Sequence, residues 1–258
     1  MEIKPSLKST LKRLRLSGLL ITLGDRVVWA KKNGLDPQDF LELVLQDEID
    51  RREQSGLNQR LGRAGFEEEQ TLEGFDWDAK ITFDRQLVRD LFGLSFLERR
   101  ENVVFTGPVG VGKTFLAAAL GHSVCRTRKN VLFIRGEVML RQLRQSRGDN
   151  STERLMRRLI AVDLLIIDDF GLRRLTPEQS SDVYELIVER HRKASTIVTS
   201  NRDIDEWISL FDDPLLAQSA IDRFANNAHQ ISMEGESYRE KQGPGARRRQ
   251  KKNSRKTD

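Results

Sequence analysis

Eight consecutive residues, Gly107-Pro108-Val109-Gly110-Val111-Gly112-Lys113-Thr114, carry the most specific chemistry in this sequence. Their spacing, G-x-x-x-x-G-K-[ST], is that of a phosphate-binding loop. Glycines let a backbone wrap closely around an anion, so that successive N–H groups point at it. Lys113 can then reach the β- and γ-phosphates of ATP, and the Thr114 hydroxyl can ligate Mg²⁺. A second cluster, Asp163-Leu164-Leu165-Ile166-Ile167-Asp168-Asp169-Phe170, places two acids after four apolar residues. Mg²⁺ takes oxygen ligands and keeps several waters, so Asp168 with Thr114 suffices from the protein. Asp169 is placed to orient or deprotonate an attacking water. In Thr199-Ser200-Asn201-Arg202, the Asn201 amide can hold a water near the γ-phosphate. In Ala220-Ile221-Asp222-Arg223-Phe224, Arg223 can serve as an arginine finger across a subunit boundary. Asp169-Phe170-Gly171 also spells a protein-kinase signature, but the H-R-D catalytic loop that would accompany it is missing.

These groups must be carried to one place, and the flanking pattern says how. Apolar runs at 102–106, 131–135, 163–168, 195–200 and 228–233 read as strands, with helical runs between them. One helix opens at Thr176-Pro177 and carries Val183, Leu186, Ile187 and Arg190. Near-continuous apolar strands alternating with helices predict an α/β fold, a parallel sheet covered on both faces. Ligands in such sheets collect at the carboxyl edge of the strands. Both the phosphate loop and Asp168-Asp169 follow carboxyl ends, so the sequence predicts that they meet.

The rest of the chain divides by composition. Residues 1–65 read as a small helical module for a partner or DNA. Leu7, Leu11 and Leu14 share a helical face. Asp36-Pro37 starts a helix that Ser55-Gly56 is expected to stop. Residues 66–80 form an acidic connector interrupted by Phe75 and Trp77, and residues 81–240 the nucleotide domain. The net charge is +5, yet residues 241–258 hold eight Lys or Arg and one Asp, so the basic character lies mostly in the tail. Arg247, Arg248 and Arg249 in that tail are read as a disordered arm suited to nucleic-acid phosphates. Arg141, Arg144 and Arg147 recur every three residues and suggest a second phosphate-contacting stripe. The single cysteine, Cys125, excludes a disulfide framework within the chain, and the three histidines are scattered. No apolar stretch reaches the ~18 residues of a membrane span, and the N-terminus lacks a signal-peptide pattern, so no membrane role and a cytoplasmic location are expected.

Taken in order, the phosphate loop, Leu165–Gly171, Thr199–Arg202, Asp222-Arg223-Phe224 and Gly235-Glu236-Ser237-Tyr238-Arg239 resemble the IstB/DnaC branch of the AAA+ ATPases. The run from Phe75-Asp76-Trp77 through Arg85-Gln86-Leu87-Val88-Arg89 to Glu101–Pro108 is particularly similar to IstB-like helper proteins of bacterial insertion sequences. The similarity extends from about residue 5 to 240. It implies an AAA+ P-loop sheet with strand order 5-1-4-3-2. It further implies ATP between neighbouring subunits of a homo-oligomer, Asn201 as the sensor residue and Arg223 acting in trans. The oligomer would hold and bend duplex DNA and recruit the partner transposase of the same element, with hydrolysis resetting the complex. Two departures stand out. Asp169 replaces the glutamate that many AAA+ enzymes carry, and its shorter reach implies slow, switch-like hydrolysis. No helical lid is visible after residue 233, which makes Arg239 a poor candidate for a nucleotide sensor. A DnaC-like replicative helicase loader shares all the nucleotide motifs; a small-molecule P-loop kinase would need an acceptor pocket and no arginine finger.

Overall fold

The computed structural model describes residues 2–237, in two compact units that divide between Gln59 and Arg60. Tail residues Arg247, Arg248 and Arg249, and Tyr238 and Arg239, lie outside the described residues.

The first unit is helical: α1 (Pro5–Arg13), α2 (Leu19–Asn33) and most of α3 (Pro37–Ala64). Leu11, Leu19, Leu23 and Val44 form its core, with Phe40 and Val27 packed against them. Asp36 caps α3 through the Gln38 N–H at 2.8 Å, with Pro37 in the first turn as expected. Arg26 ties α2 to α3 by a two-pronged pair with Asp47, both bonds 2.7 Å. Glu48 is buried between Arg51 and Arg52, and the Arg51 hydrogen bond is the main cause that holds its carboxyl down at about 2. The helix does not stop at Ser55-Gly56. One interior glycine costs only about 1 kcal/mol against alanine, and the run continues to Gly65, whose φ of +81° is the left-handed geometry of a helix-terminating glycine.

In the second unit, five parallel strands form one sheet: β1 (Asn102–Thr106), β2 (Val131–Arg135), β3 (Leu164–Phe170), β4 (Ser195–Ser200) and β5 (Ala228–Ser232). Their spatial order is β5-β1-β4-β3-β2, the expected 5-1-4-3-2 arrangement. The central strands β1 and β4 are buried along their whole length. Edge strand β5 carries polar His229 and Gln230 and is only half-buried, as an outer strand tolerates. The connections run through α6 (Lys113–Arg126), the pair α7 (Gly136–Ser146) and α8 (Thr152–Ala161), then α9 (Pro177–Arg190) and α10 (Pro214–Ala225). Thr176 and Gln179 close a capping box at the start of α9, where the Thr-Pro pair predicts a helix. The core joins Val104, Leu165 and Val198 of the sheet to Leu143, Leu186 and Phe224 of the covering helices.

Before β1 come two short helices, α4 (Arg85–Leu91) and α5 (Ser95–Glu98). Ahead of these, Ile81–Thr82 pairs antiparallel with Glu234–Gly235, so the segments that enter and leave this unit are hydrogen-bonded together. The connector packs onto α6. Phe66 stacks on His122 with ring centroids 4.1 Å apart, and the missing side chain of Gly121 makes room for it. Phe75 sits among Trp77, Phe83 and Phe115. Cys125 is fully buried, and burial pushes its thiol up to about 11, which leaves it an inert core residue. Among the described residues no helix is long and apolar enough to cross a membrane.

Candidate functional site

Gly107 and Gly112 show why the loop sequence is needed. Gly107 has φ +134°, and a Cβ built there would lie 2.0 Å from the Met233 carbonyl oxygen. Gly112 has φ +95° at the start of α6, with the Phe75 ring 3.1 Å from where a Cβ would be. No side chain fits either place. The loop therefore delivers Lys113 and Thr114 as the first residues of a helix, where unpaired N–H groups and the helix dipole favour an anion.

Lys113 is buried. Its Nζ donates to Gly107 O and Pro108 O at 2.7 Å and to Asn201 Oδ1 at 2.8 Å. Asn201 follows β4, so this bond joins the phosphate loop to the adjacent strand end. Beside it, Thr114 Oγ1 donates to Asp168 Oδ1 at 2.8 Å and Thr199 Oγ1 donates to the same oxygen at 2.6 Å. Asp168 is only 3% exposed. Burial pushes its carboxyl up; the hydrogen bonds from Thr199 and Thr114 pull the other way, and Arg135, its partner in the strand register, adds a weaker pull.

The two acids owe their different surroundings to a bulge. Ile167 pairs with Val198 and Phe170 with Ser200, so Asp168 and Asp169 together oppose Thr199 alone. Asp169 takes φ +52°, a left-handed geometry that Asp tolerates better than most residues. Its N–H donates to Thr199 Oγ1 at 2.9 Å. One threonine hydroxyl thus fixes both acids. The sequence motif marks this segment through Asn201 and assigns Thr199 no role. A threonine closing an apolar strand is a weak signal, and only the register shows what it opposes.

These groups face a cleft of about 780 Å³, whose other walls are the connector and the edge of α6. That volume lies within the ~300–1,000 Å³ range of small-molecule sites. Lys113, Thr114, Asp168, Asp169 and Asn201 all line it. So does Arg135, paired with Glu67 at 2.6 Å, which no motif in the sequence marks. Thr114 and Asp168 offer a hydroxyl and a carboxylate, an all-oxygen set that fits Mg²⁺. Among the described residues no group of three His, Cys, Asp or Glu could cage an ion without help, so a metal here would retain waters or phosphate oxygens as ligands.

Other expected site residues lie elsewhere. Arg223 is on α10 and does not line the cleft; its guanidinium bonds the carbonyl and hydroxyl of Ser219 one turn back and borders Trp207 and Phe224. Arg141 and Arg144 point to solvent from α7. Arg147 does not continue their row: it pairs with buried Asp182 at 2.6 Å and reaches back to Leu143 O. The three-residue spacing missed this because Asp182 is on a different helix.

Comparison with known proteins decides the family. Residues 9–246 match the family described as IstB-like ATP binding protein. The chain belongs to that family. An insertion-sequence ATP-binding protein of Mycobacterium tuberculosis is 40% identical over 93% of this chain and 96% of its own length. The IS21 ATP-binding protein of Pseudomonas aeruginosa is 36% identical over 92% of this chain and 89% of its own. Among solved structures, DnaI shares the fold at TM-score 0.56 and 20% identity, covering 64% of this chain and 92% of that one. The replication initiator DnaA bound to AMPPCP and single-stranded DNA shares it at TM-score 0.54 and 18% identity, over 64% and 50%. The IstB-like chain thus has the P-loop sheet of the AAA+ class.

Proposed function

We propose that this IstB-like protein is an ATP-dependent transposition helper. It binds and slowly hydrolyses ATP, assembles on duplex target DNA and recruits a partner transposase, acting in the cytoplasm. The observation that carries the reading is the meeting of Lys113 with Asn201 and of Thr114 with Asp168 at one sheet edge, each pair through a 2.8 Å bond. With the family membership, it supports ATP over other anions.

The roles follow from the chemistry. Backbone N–H groups of Val109, Gly110, Val111, Gly112, Lys113 and Thr114 donate to the phosphates, while Gly107 and Pro108, which has no N–H, shape the entry to the loop. Lys113 leaves its carbonyl partners for the β- and γ-oxygens, exchanging neutral acceptors for negatively charged ones. Thr114 and Asp168 would hold Mg²⁺, which supplies charge neutralisation between the β- and γ-phosphates. Asp169 and Asn201 position the attacking water, and the short reach of Asp169 makes the step slow. Arg223, remote from its own cleft, serves the cleft of the next copy. Arg141 and Arg144, with the basic tail, contact DNA phosphates.

The test combines nucleotide binding with assembly. Purified protein should sediment as an oligomer on duplex DNA with ATP and as smaller species without it. Affinity should fall steeply with salt, because phosphate contacts release counterions. Lys113→Ala should weaken ATP binding about 100-fold, the value of one or two charge-assisted bonds, and should lose the assembly. Unchanged ATP affinity in that variant would remove the site; assembly that ignores ATP would remove the switch.

A further inference from the structure

The cleft contains a polar atom that nothing among the described residues satisfies. The Oε1 of Gln70 is buried and has no hydrogen-bond partner, and Gln70 belongs to the cleft wall. Native structures pair nearly all such atoms, since an orphaned buried acceptor is costly. This one lies on the connector, between two fixed points. Phe66 is held at Gly121 and His122, with His122 Nε2 within 3.2 Å of Glu68 O; Phe75 is held against Gly112 and Phe115. The connector therefore runs antiparallel along α6, and Gln70 falls midway. The residues of α6 that share the cleft with it are Lys113, Thr114, Phe115 and Ala118. From Thr114 to Ala118 that face of α6 runs about 6 Å away from the loop, and the cleft there is bounded by α6 on one side and the connector on the other.

We propose that Gln70 reads the adenine base. Its Oε1 accepts from the exocyclic N6 amino group while its Nε2 donates to N7, the two-pronged pairing by which carboxamides recognise adenine. The terminal torsion of glutamine is soft, so the amide turns out of the wall when a base is there to receive it. Guanine presents two acceptors, N7 and O6, along the same edge, and one carboxamide can donate to only one of them. Gln70 thus selects ATP over GTP. Phe115 and Phe75 supply apolar surface and leave the selection to the amide. This inference rests on the nucleotide reading above.

The experiment pairs a residue change with a ligand change. Displacement of a fluorescent nucleotide is measured with ATP, with GTP and with purine riboside triphosphate, which lacks the amino group. The wild type should favour ATP over purine riboside triphosphate by about tenfold, the worth of one base contact. Gln70→Leu and Gln70→Ala should both abolish that preference, and both should weaken purine riboside triphosphate by less than they weaken ATP, because that ligand keeps N7 and lacks only the amino group. The ATP-to-GTP ratio should shrink in parallel. The unliganded Gln70→Leu protein should unfold at the same or a higher urea concentration, because the oxygen it loses was buried without a partner among the described residues. A preference that survives in either variant overturns the assignment, as does a variant that is destabilised yet still discriminates. Failure of the wild type to bind ATP at all would instead strike at the nucleotide site itself.

Discussion

The two ends of the sheet use polar residues in opposite ways. At the amino end, Arg190 is 3% exposed and donates to the carbonyls of Leu159, Ile160, Val162 and Ser195 and to Thr196 Oγ1. Asn102 receives the Thr196 N–H at 2.9 Å, and Ser195 Oγ bonds Phe96 O. Every partner is structural, and the knot fastens α8 and α9 to the start of β4. Burial lowers the Arg190 guanidinium to about 10, where it stays protonated at neutral pH. At the carboxyl end, Lys113 and Asp168 are equally buried but open onto a cleft. Burial of charge therefore does not mark function by itself. What separates the ends is whether the partners are exhausted within the fold or can be exchanged for a ligand.

That contrast can be broken at either end. The largest effect is expected from Arg190→Met, which orphans several buried carbonyls at about 1–3 kcal/mol each, so that a loss of about 4 kcal/mol is reasonable. Urea unfolding measures it, and ATP affinity of the folded fraction should not change. A stable variant would deny the knot its role. Next, Arg223→Ala should leave both the fold and ATP binding intact yet lower turnover about 10³-fold, because the finger acts on the transferring phosphoryl group. Mixing it with Lys113→Ala should recover turnover at composite clefts; wild-type turnover by Arg223→Ala alone would exclude the finger.

The smallest effect concerns Asp168, and its sign is opposite to that of most carboxylates. Its folded value is raised, so between the ordinary 3.8 and that folded value the native state keeps a proton that the unfolded chain has already released. Its contribution to stability is therefore present below the ordinary 3.8 and is lost as pH rises through the folded value. Asp168→Asn should make the unliganded protein slightly more stable at pH 7 than the wild type, with the difference closing toward pH 3. Glu48 runs the other way: held at about 2 against an ordinary 4.5, it supports the helical unit at neutral pH and loses that support on acidification between those values. Urea midpoints across the pH range would separate the two. An Asp168→Asn protein less stable than wild type at pH 7 would mean that the carboxylate is a structural group like Arg190.

Local rules made much of this legible. Strand–loop–helix around Gly107–Thr114, five apolar strands and the caps at Asp36 and Thr176 all announce themselves within a few residues, because backbone geometry and burial on both faces act locally. The convergence of Lys113, Asp168 and Asn201 followed from one further rule, the common carboxyl edge. Elements that depend on distant partners were not legible. Arg147 looked like surface charge until Asp182 appeared opposite it. Thr199 acquired its place only from the bulge, and Gln70 only from the course of the connector along α6. Gly56 read as a stop, although the stop that the backbone uses is Gly65.

The short ribbon joining Ile81–Thr82 to Glu234–Gly235 has a practical consequence. It sets Met233 against Gly107 and Ser237 against Gly110, so the exit of the chain rests on the phosphate loop like a finger on a string. An environment-sensitive dye attached at Ser237 would serve as an optical gauge of loop occupancy, and a bulky fusion joined directly there would mute it.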